Sequence, residues 1–288
     1  MPPIAIYEPL IAALQKRLGE LGMEPRVYRW PSHQNSLRDL RMGQAREECD
    51  AIIFNALRKD EELLEKIRKD RFCTVLFDHH FSGFSAVLTD YYDAGARLTA
   101  RLLAAGRTRI APILPPDIGN LHFHHISEEL LLSGYRKMLG IRQIDELPTF
   151  RLDIRDKDFT RPLLDFIVRH RVDGLLTGPI QGEITMTFFT SPVREHLLER
   201  GVLLAGVSES RIPAKYRPEP LLAAMAVQQL DAIADELIRR LETLLDNPLT
   251  TPCTTLVAAA MQPQTDEEKA QQSIFPEREQ HPHIPIIK

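Results

Sequence analysis

The chain has 288 residues and a mass of 32.9 kDa, with 43% hydrophobic and 26% charged residues, which excludes a mainly disordered protein and fits one large domain or two small ones. Its 36 Lys+Arg against 40 Asp+Glu leave a net charge of −4, so bulk positive charge is not available for gripping phosphate backbones. No apolar run reaches membrane-spanning length, and the start, Met1-Pro2-Pro3-Ile4, does not read as a signal peptide. Cys49, Cys73 and Cys253 form neither a CxxC pattern nor a disulfide framework, so a reducing, cytoplasmic setting is expected.

Taken in chain order, Leu10, Leu14, Leu18 and Leu21 recur at helical spacing, with Pro9 early and Gly22 past the end. Strands are expected over Arg26–Trp30, Ala51–Phe54, Cys73–Phe77, Arg109–Leu114, Thr149–Leu152, Asp173–Thr177 and Val202–Val207. They are short and continuously apolar, as strands buried on both faces are. Between them, Ser36 with Asp39 and Asp90 with Asp93 carry capping patterns, the second ahead of a helix ended by Gly106. Ser191-Pro192 opens a helix that Gly201 closes, and Val227, Leu230, Ile233, Leu237, Leu241 and Leu244 stripe another that stops at Asn247-Pro248. Strand–helix–strand alternation implies an α/β fold with parallel sheets covered by helices. From about Gln262 the composition turns polar and Pro-rich, which reads as a C-terminal tail over 263–288.

Enzyme signatures are missing: there is no GxGxxG after the first strand, no GxxxxGK[ST] loop and no GxSxG elbow. Two histidine clusters stand in loops after strands, Asp78-His79-His80 and His122-Phe123-His124-His125. A metal held by Asp78, His124 and His125 is chemically reasonable, yet no HxxxH register supports it, and polar loop residues facing a ligand or water are the plainer reading. No cofactor is expected.

Several stretches have a family likeness. Val75-Leu76-Phe77-Asp78, then Val87 to Gly95, then Leu102 to Ala111 resemble the middle of the lactose-repressor/galactose-repressor effector domain. Further on, Ser133-Gly134-Tyr135, Asp173-Gly174-Leu175-Leu176, Leu203 to Glu209, the expected helix Gln228–Leu241 and Thr255-Leu256-Val257 follow in the family's order, so the resemblance spans about residues 4 to 260. It implies a periplasmic-binding-protein-like type I fold, with two doubly wound parallel-sheet subdomains joined by three crossovers and closing on a small molecule. The Pro-rich places near Pro115-Pro116, Arg211–Pro220 and Asn247–Pro252 are the expected crossovers. They divide the chain into 1–116 plus 219–247 and 117–215 plus 248–262.

The resemblance also implies a pocket. Asp78 is retained, Asn55 occupies a rim position, and Tyr7, His79, His124, Ser208 and Glu209 complete the expected ligand-binding set. For the start, two alignments stay open: Ile6-Tyr7 in the loop after the first strand, or Ile4–Tyr7 as that strand. The sequence departs from the family at Leu131, where an arginine is usual, at Ser208, where an aspartate is usual, and at Gly178-Pro179-Ile180. Losing an arginine fork and a carboxylate removes bidentate, charge-assisted bonds to ligand hydroxyls. The family's helix-turn-helix does not precede the first strand, so DNA contact would need a module not in this chain. What the resemblance implies is a non-catalytic, homodimeric effector domain of a bacterial transcriptional regulator. It would bind a small polar metabolite, with carbohydrate one candidate. A transporter's solute-binding protein is the alternative, and a metal-assisted α/β enzyme a more distant one.

Overall fold

The computed structural model describes residues 8–27, 48–55, 65, 67–69, 72–116, 125–153, 156, 158–178, 192–208 and 220–262. Helix α1 (Glu8–Glu20) buries Leu10, and Gly22 just past its end takes φ 76°. Only a residue without Cβ adopts that left-handed turn cheaply, which is why the helix stops there. Strands β1 (Ala51–Asn55), β2 (Cys73–Phe77) and β3 (Ser85–Thr89) follow, then α2 (Tyr91–Ala104), whose N-cap Asp90 accepts a hydrogen bond from the Asp93 N–H. Next come β4 (Ile110–Leu114), α3 (His125–Arg142), β5 (Phe150–Arg151), α4 (Thr160–His170) and β6 (Gly174–Thr177). The described chain ends with α5 (Val193–Glu199), β7 (Leu203–Ser208), β8 (Leu222–Val227), α6 (Leu230–Asp246), β9 (Thr254–Val257) and β10 (Ala260–Gln262).

These strands form two sheets, one of four strands in the order β1-β2-β3-β9, the other of six in the order β10-β8-β7-β6-β4-β5. Among the described residues all pairings are parallel except β10 with β8. Helices cover the sheets as the continuously apolar strands require. On one face of the first sheet, α1 and α6 bury Leu10, Ile233, Leu237 and Leu241 against Val75, Phe77 and Val87. On the second sheet, α4 and α5 cover one face through Leu163, Ile167, Val193 and Leu197, while α2 and α3 cover the other through Leu98, Leu102, Leu131 and Tyr135.

The α2–α3 crossing is unusually close. A Cβ added to Gly95 would stand 2.2 Å from the Leu131 carbonyl oxygen, and one on Gly134 would stand 2.1 Å from that of Tyr92. Gly134 belongs to the Ser133-Gly134-Tyr135 motif, so packing explains it. Asp173, in another quoted motif, likewise has a local reason: its carboxylate accepts from the Arg109 and Thr108 backbone N–H groups at 2.8 and 3.0 Å.

The expected subdomain boundaries need correction. Strand β4 (Ile110–Leu114) was assigned to the first subdomain, but it pairs with β6 and β5 in the second sheet. Strand β8 (Leu222–Val227), also assigned to the first, pairs with β7 of the second sheet. Strand β9 (Thr254–Val257), assigned to the second, pairs with β3 of the first. The chain therefore changes sheets at Asp90, at Gln228-Gln229 and at Ala258-Ala259. None of these connectors contains Pro or Gly. Each runs directly from a strand end into the next element, so composition carries no trace of it. Pro115-Pro116 simply follows β4, and Asn247–Pro252 is the turn between α6 and β9. Residues 211–219, the Ser36–Asp39 pattern and the tail over 263–288 lie outside the described residues, as does the Tyr28–Trp30 part of the first expected strand.

Candidate functional site

Parallel strands put all their carboxyl ends on one edge, and ligands of open α/β sheets bind beyond that edge. Here the carboxyl ends of the two sheets meet at the first two crossovers. Asp78 follows β2 in the left-handed conformation, φ 56°, with its N–H donating to the Val87 carbonyl at 2.9 Å. Asp tolerates this conformation better than most residues, but it still costs free energy that the surroundings must repay. The turn directs its carboxylate inward, and Asp78 is only 3% exposed.

Both carboxylate oxygens accept from the buried Tyr91 hydroxyl, at 2.8 and 3.0 Å. Tyr91 is the first residue of α2, which packs on β7 and β8, so this bond runs from the second subdomain to the first. Gln228, directly after β8, makes a second bridge: its Nε2 donates to Thr89 Oγ1 at 2.8 Å and to the Tyr91 hydroxyl oxygen at 2.9 Å. The Gln228 backbone N–H donates to the Ser208 carbonyl at 2.9 Å, which brings in the end of β7. At the third crossover Arg97 donates to the Ala259 carbonyl at 3.4 Å, and the Asp90 N–H donates to the Val257 carbonyl at 2.8 Å. Gln228 Oε1 is buried with no hydrogen-bond partner among the described residues. A buried acceptor in that state is costly, and the polar group of a ligand would relieve it.

Burial sets the electrostatics. It pushes the Asp78 carboxyl up to about 6, although the Tyr91 hydrogen bond pulls the other way. Burial likewise pushes the His79 imidazole down to about 4, and it lowers His80. His79 stacks on Phe81 with ring centroids 6.3 Å apart, and His80 Nδ1 lies 2.9 Å from Thr254 Oγ1. Across the second sheet's edge, Arg151 at the end of β5 bridges to the nearly buried Glu128 at 2.8 Å and donates to the Pro115 carbonyl at 3.0 Å.

Of the expected site residues, Asp78 and Ser208 are brought together by the bonds from Tyr91 through Gln228, and His79 is buried beside them in sequence. Asn55 ends β1 one strand away, its backbone in register with Phe77. Tyr7, His124 and Glu209 lie outside the described residues. Leu131, the position without the arginine, is fully buried in the core with Leu114 and Tyr135. Sequence reading missed Tyr91 and Gln228. Tyr91 stood inside a quoted stretch but read as an ordinary helix residue. Gln228 had a signal, a polar side chain closing the apolar run Leu222–Val227. Among the described residues no group of three or more His, Cys, Asp or Glu could hold a metal ion, and no helix is long and apolar enough to cross a membrane.

No protein-family model matches the sequence, and no curated protein matches it. Solved structures do match in fold. The Cra transcriptional dual regulator from Pseudomonas putida, in complex with fructose 1-phosphate, superposes with TM-score 0.67 at 16% identity, covering 89% of this chain and 93% of that one. A LacI family transcriptional regulator from Enterococcus faecium with bound ribose gives 0.67 at 14% identity, covering 91% and 94%. The transcriptional regulator CelR, in a cellobiose complex, gives 0.68 at 18% identity, covering 90% and 78%. At such identities the likeness concerns the fold. The chain has the periplasmic-binding-protein-like type I fold that LacI-family regulators use, with its two sheets joined at Asp90, Gln228-Gln229 and Ala258-Ala259.

Proposed function

We propose that this chain is the ligand-sensing effector domain of a bacterial transcriptional regulator, cytoplasmic, homodimeric and non-catalytic, with DNA reached through a separate module. It binds a small polar metabolite, carbohydrate being the favoured class, between the carboxyl ends of its two sheets. The observation that carries this reading is the meeting of Asp78, Tyr91, Ser208 and Gln228 at the junction of two subdomains, with a buried Gln228 oxygen that has no partner among the described residues. The fold supports it, since neighbours sharing that fold are regulators solved with fructose 1-phosphate, ribose and cellobiose.

In this reading Asp78 is the anchor for a ligand hydroxyl or amine, Gln228 and Ser208 contact it from the second subdomain, and Asn55 and His79 are further ligand residues of the first. Tyr7, His124 and Glu209 complete the proposed ligand-binding set. Ligand favours closure because only the closed arrangement offers both sets of groups at once. The test is a thermal-shift panel of sugars, sugar phosphates and amino sugars, including ribose, cellobiose and fructose 1-phosphate, followed by calorimetric titration. Asp78→Asn should weaken binding of the stabilising compound by roughly tenfold to more than a hundredfold, the loss of one charged acceptor. Unchanged affinity in that variant would place the ligand elsewhere.

A further inference from the structure

The side-chain bonds at the crossovers join two bodies that the backbone connects only through short segments. Tyr91 and Gln228 belong to the second subdomain by packing, and their partners Asp78 and Thr89 belong to the first. The hydroxyl of Tyr91 donates to Asp78 while accepting from Gln228, so the three groups form one continuous chain across the junction. Any rotation that separates the sheets must break it, and it must bring water to a carboxyl group that is now buried.

We propose that Asp78, Tyr91 and Gln228 form a hinge latch whose strength depends on the proton carried by Asp78. The closed latch holds the carboxyl out of water and opening hydrates it, so the ionised form favours the open arrangement and the protonated form the closed one. Burial pushes this carboxyl up to about 6 from an ordinary 3.8, the direction the latch requires. Several other groups lie close by. On the same turn His79 is buried and held neutral, but its stacking partner Phe81 lies within the first subdomain. Just before α2, Asp90 is half-buried with its carboxyl raised by burial, and it accepts from the Asp93 N–H as the helix cap. From β3 and β8, Thr89 and Gln228 belong to the same set of bonds, and from β7 the Ser208 carbonyl accepts from the Gln228 N–H; none of these groups titrates. The proposal rests on the two-subdomain fold and not on the identity of any ligand, so it can fail while the sensor reading stands.

Hydroxyl-radical footprinting of the full chain, free of added ligand, tests it. Tyr91 and Tyr135 are both fully buried, but Tyr135 lies in the second subdomain's core with its hydroxyl on the Ile110 carbonyl. It therefore serves as the internal control. If Asp78 opens with a normal carboxylate affinity for protons, wild-type labelling of Tyr91 relative to Tyr135 should rise about tenfold more between about pH 5 and about pH 8 than in Asp78→Asn. Taking the ratio to Asp78→Asn removes any contribution from His79. Gln228→Leu should raise Tyr91 labelling at both pH values and leave the pH response in place. Equal pH responses in wild type and Asp78→Asn would overturn the proposal, as would Tyr91 labelling unmoved by Gln228→Leu.

Discussion

Asp78→Asn isolates the cost of burying a carboxylate at the subdomain junction. The substitution keeps shape and keeps an acceptor for the Tyr91 hydroxyl, but removes the titrating group. In the folded chain the carboxyl binds its proton more tightly than in the unfolded chain, with values of about 6 against 3.8. Its contribution to stability is therefore fully present below the unfolded value and is lost as pH rises through the folded one. A separation of that size corresponds to about 3 kcal/mol. His79 works in the opposite direction, because burial depresses it to about 4 and its contribution is lost as pH falls. The two nearly cancel in the wild type between about pH 4 and about pH 6.5, so its stability should change little there on their account. Asp78→Asn unmasks the histidine. Relative to wild type, the variant should gain about 2.5 kcal/mol between about pH 4 and about pH 7. Urea unfolding at a series of pH values measures this, with the difference between the two proteins as the readout. A difference independent of pH would refute the claim that Asp78 is held away from water.

Other substitutions test the packing that positions the site. Gly134→Ala places a Cβ on the Tyr92 carbonyl and must push α2 and α3 apart, so a loss of about 3 kcal/mol in unfolding free energy is expected; a neutral result would mean that the helices are not so close. Tyr135→Phe removes the 2.8 Å bond to the Ile110 carbonyl and should cost about 1 kcal/mol with no change in ligand affinity. Asp173→Ala frees the Thr108 and Arg109 N–H groups and should cost about 1–2 kcal/mol, seen as faster amide exchange at those two positions. The proposed homodimer predicts sedimentation as a dimer at roughly tens of micromolar, and a monomer there would remove that part of the reading.

What the sequence made legible follows from the range of the forces involved. Asp90 with Asp93 predicted the cap of α2, and Gly22, Gly106 and Gly201 predicted helix ends, because these are local backbone matters and all three glycines have positive φ. Continuous apolar runs located β2, β4 and β6 for the same reason. Asp78 was recognisable as a polar residue at a buried strand's carboxyl end. Its partner Tyr91 was not, since a tyrosine in the first turn of a helix looks alike whether its hydroxyl meets water or a carboxylate from another sheet. The sheet assignments of β4, β8 and β9 failed because pairing between distant strands leaves no mark in their own residues. The prolines of Asn247–Pro252 mark a turn between α6 and β9 and not a crossover, and Gln228, at a real crossover, carries no proline to announce it.

The most direct test of the sensing claim is hydrogen exchange on the chain with and without the metabolite that stabilises it. The account predicts that added protection concentrates at the ends of β2, β3, β7 and β8, around Asp78, Thr89, Ser208 and Gln228, because closure brings those four ends around the ligand. Protection confined to the outer α1–α6 face, or spread evenly over both subdomains, would contradict it.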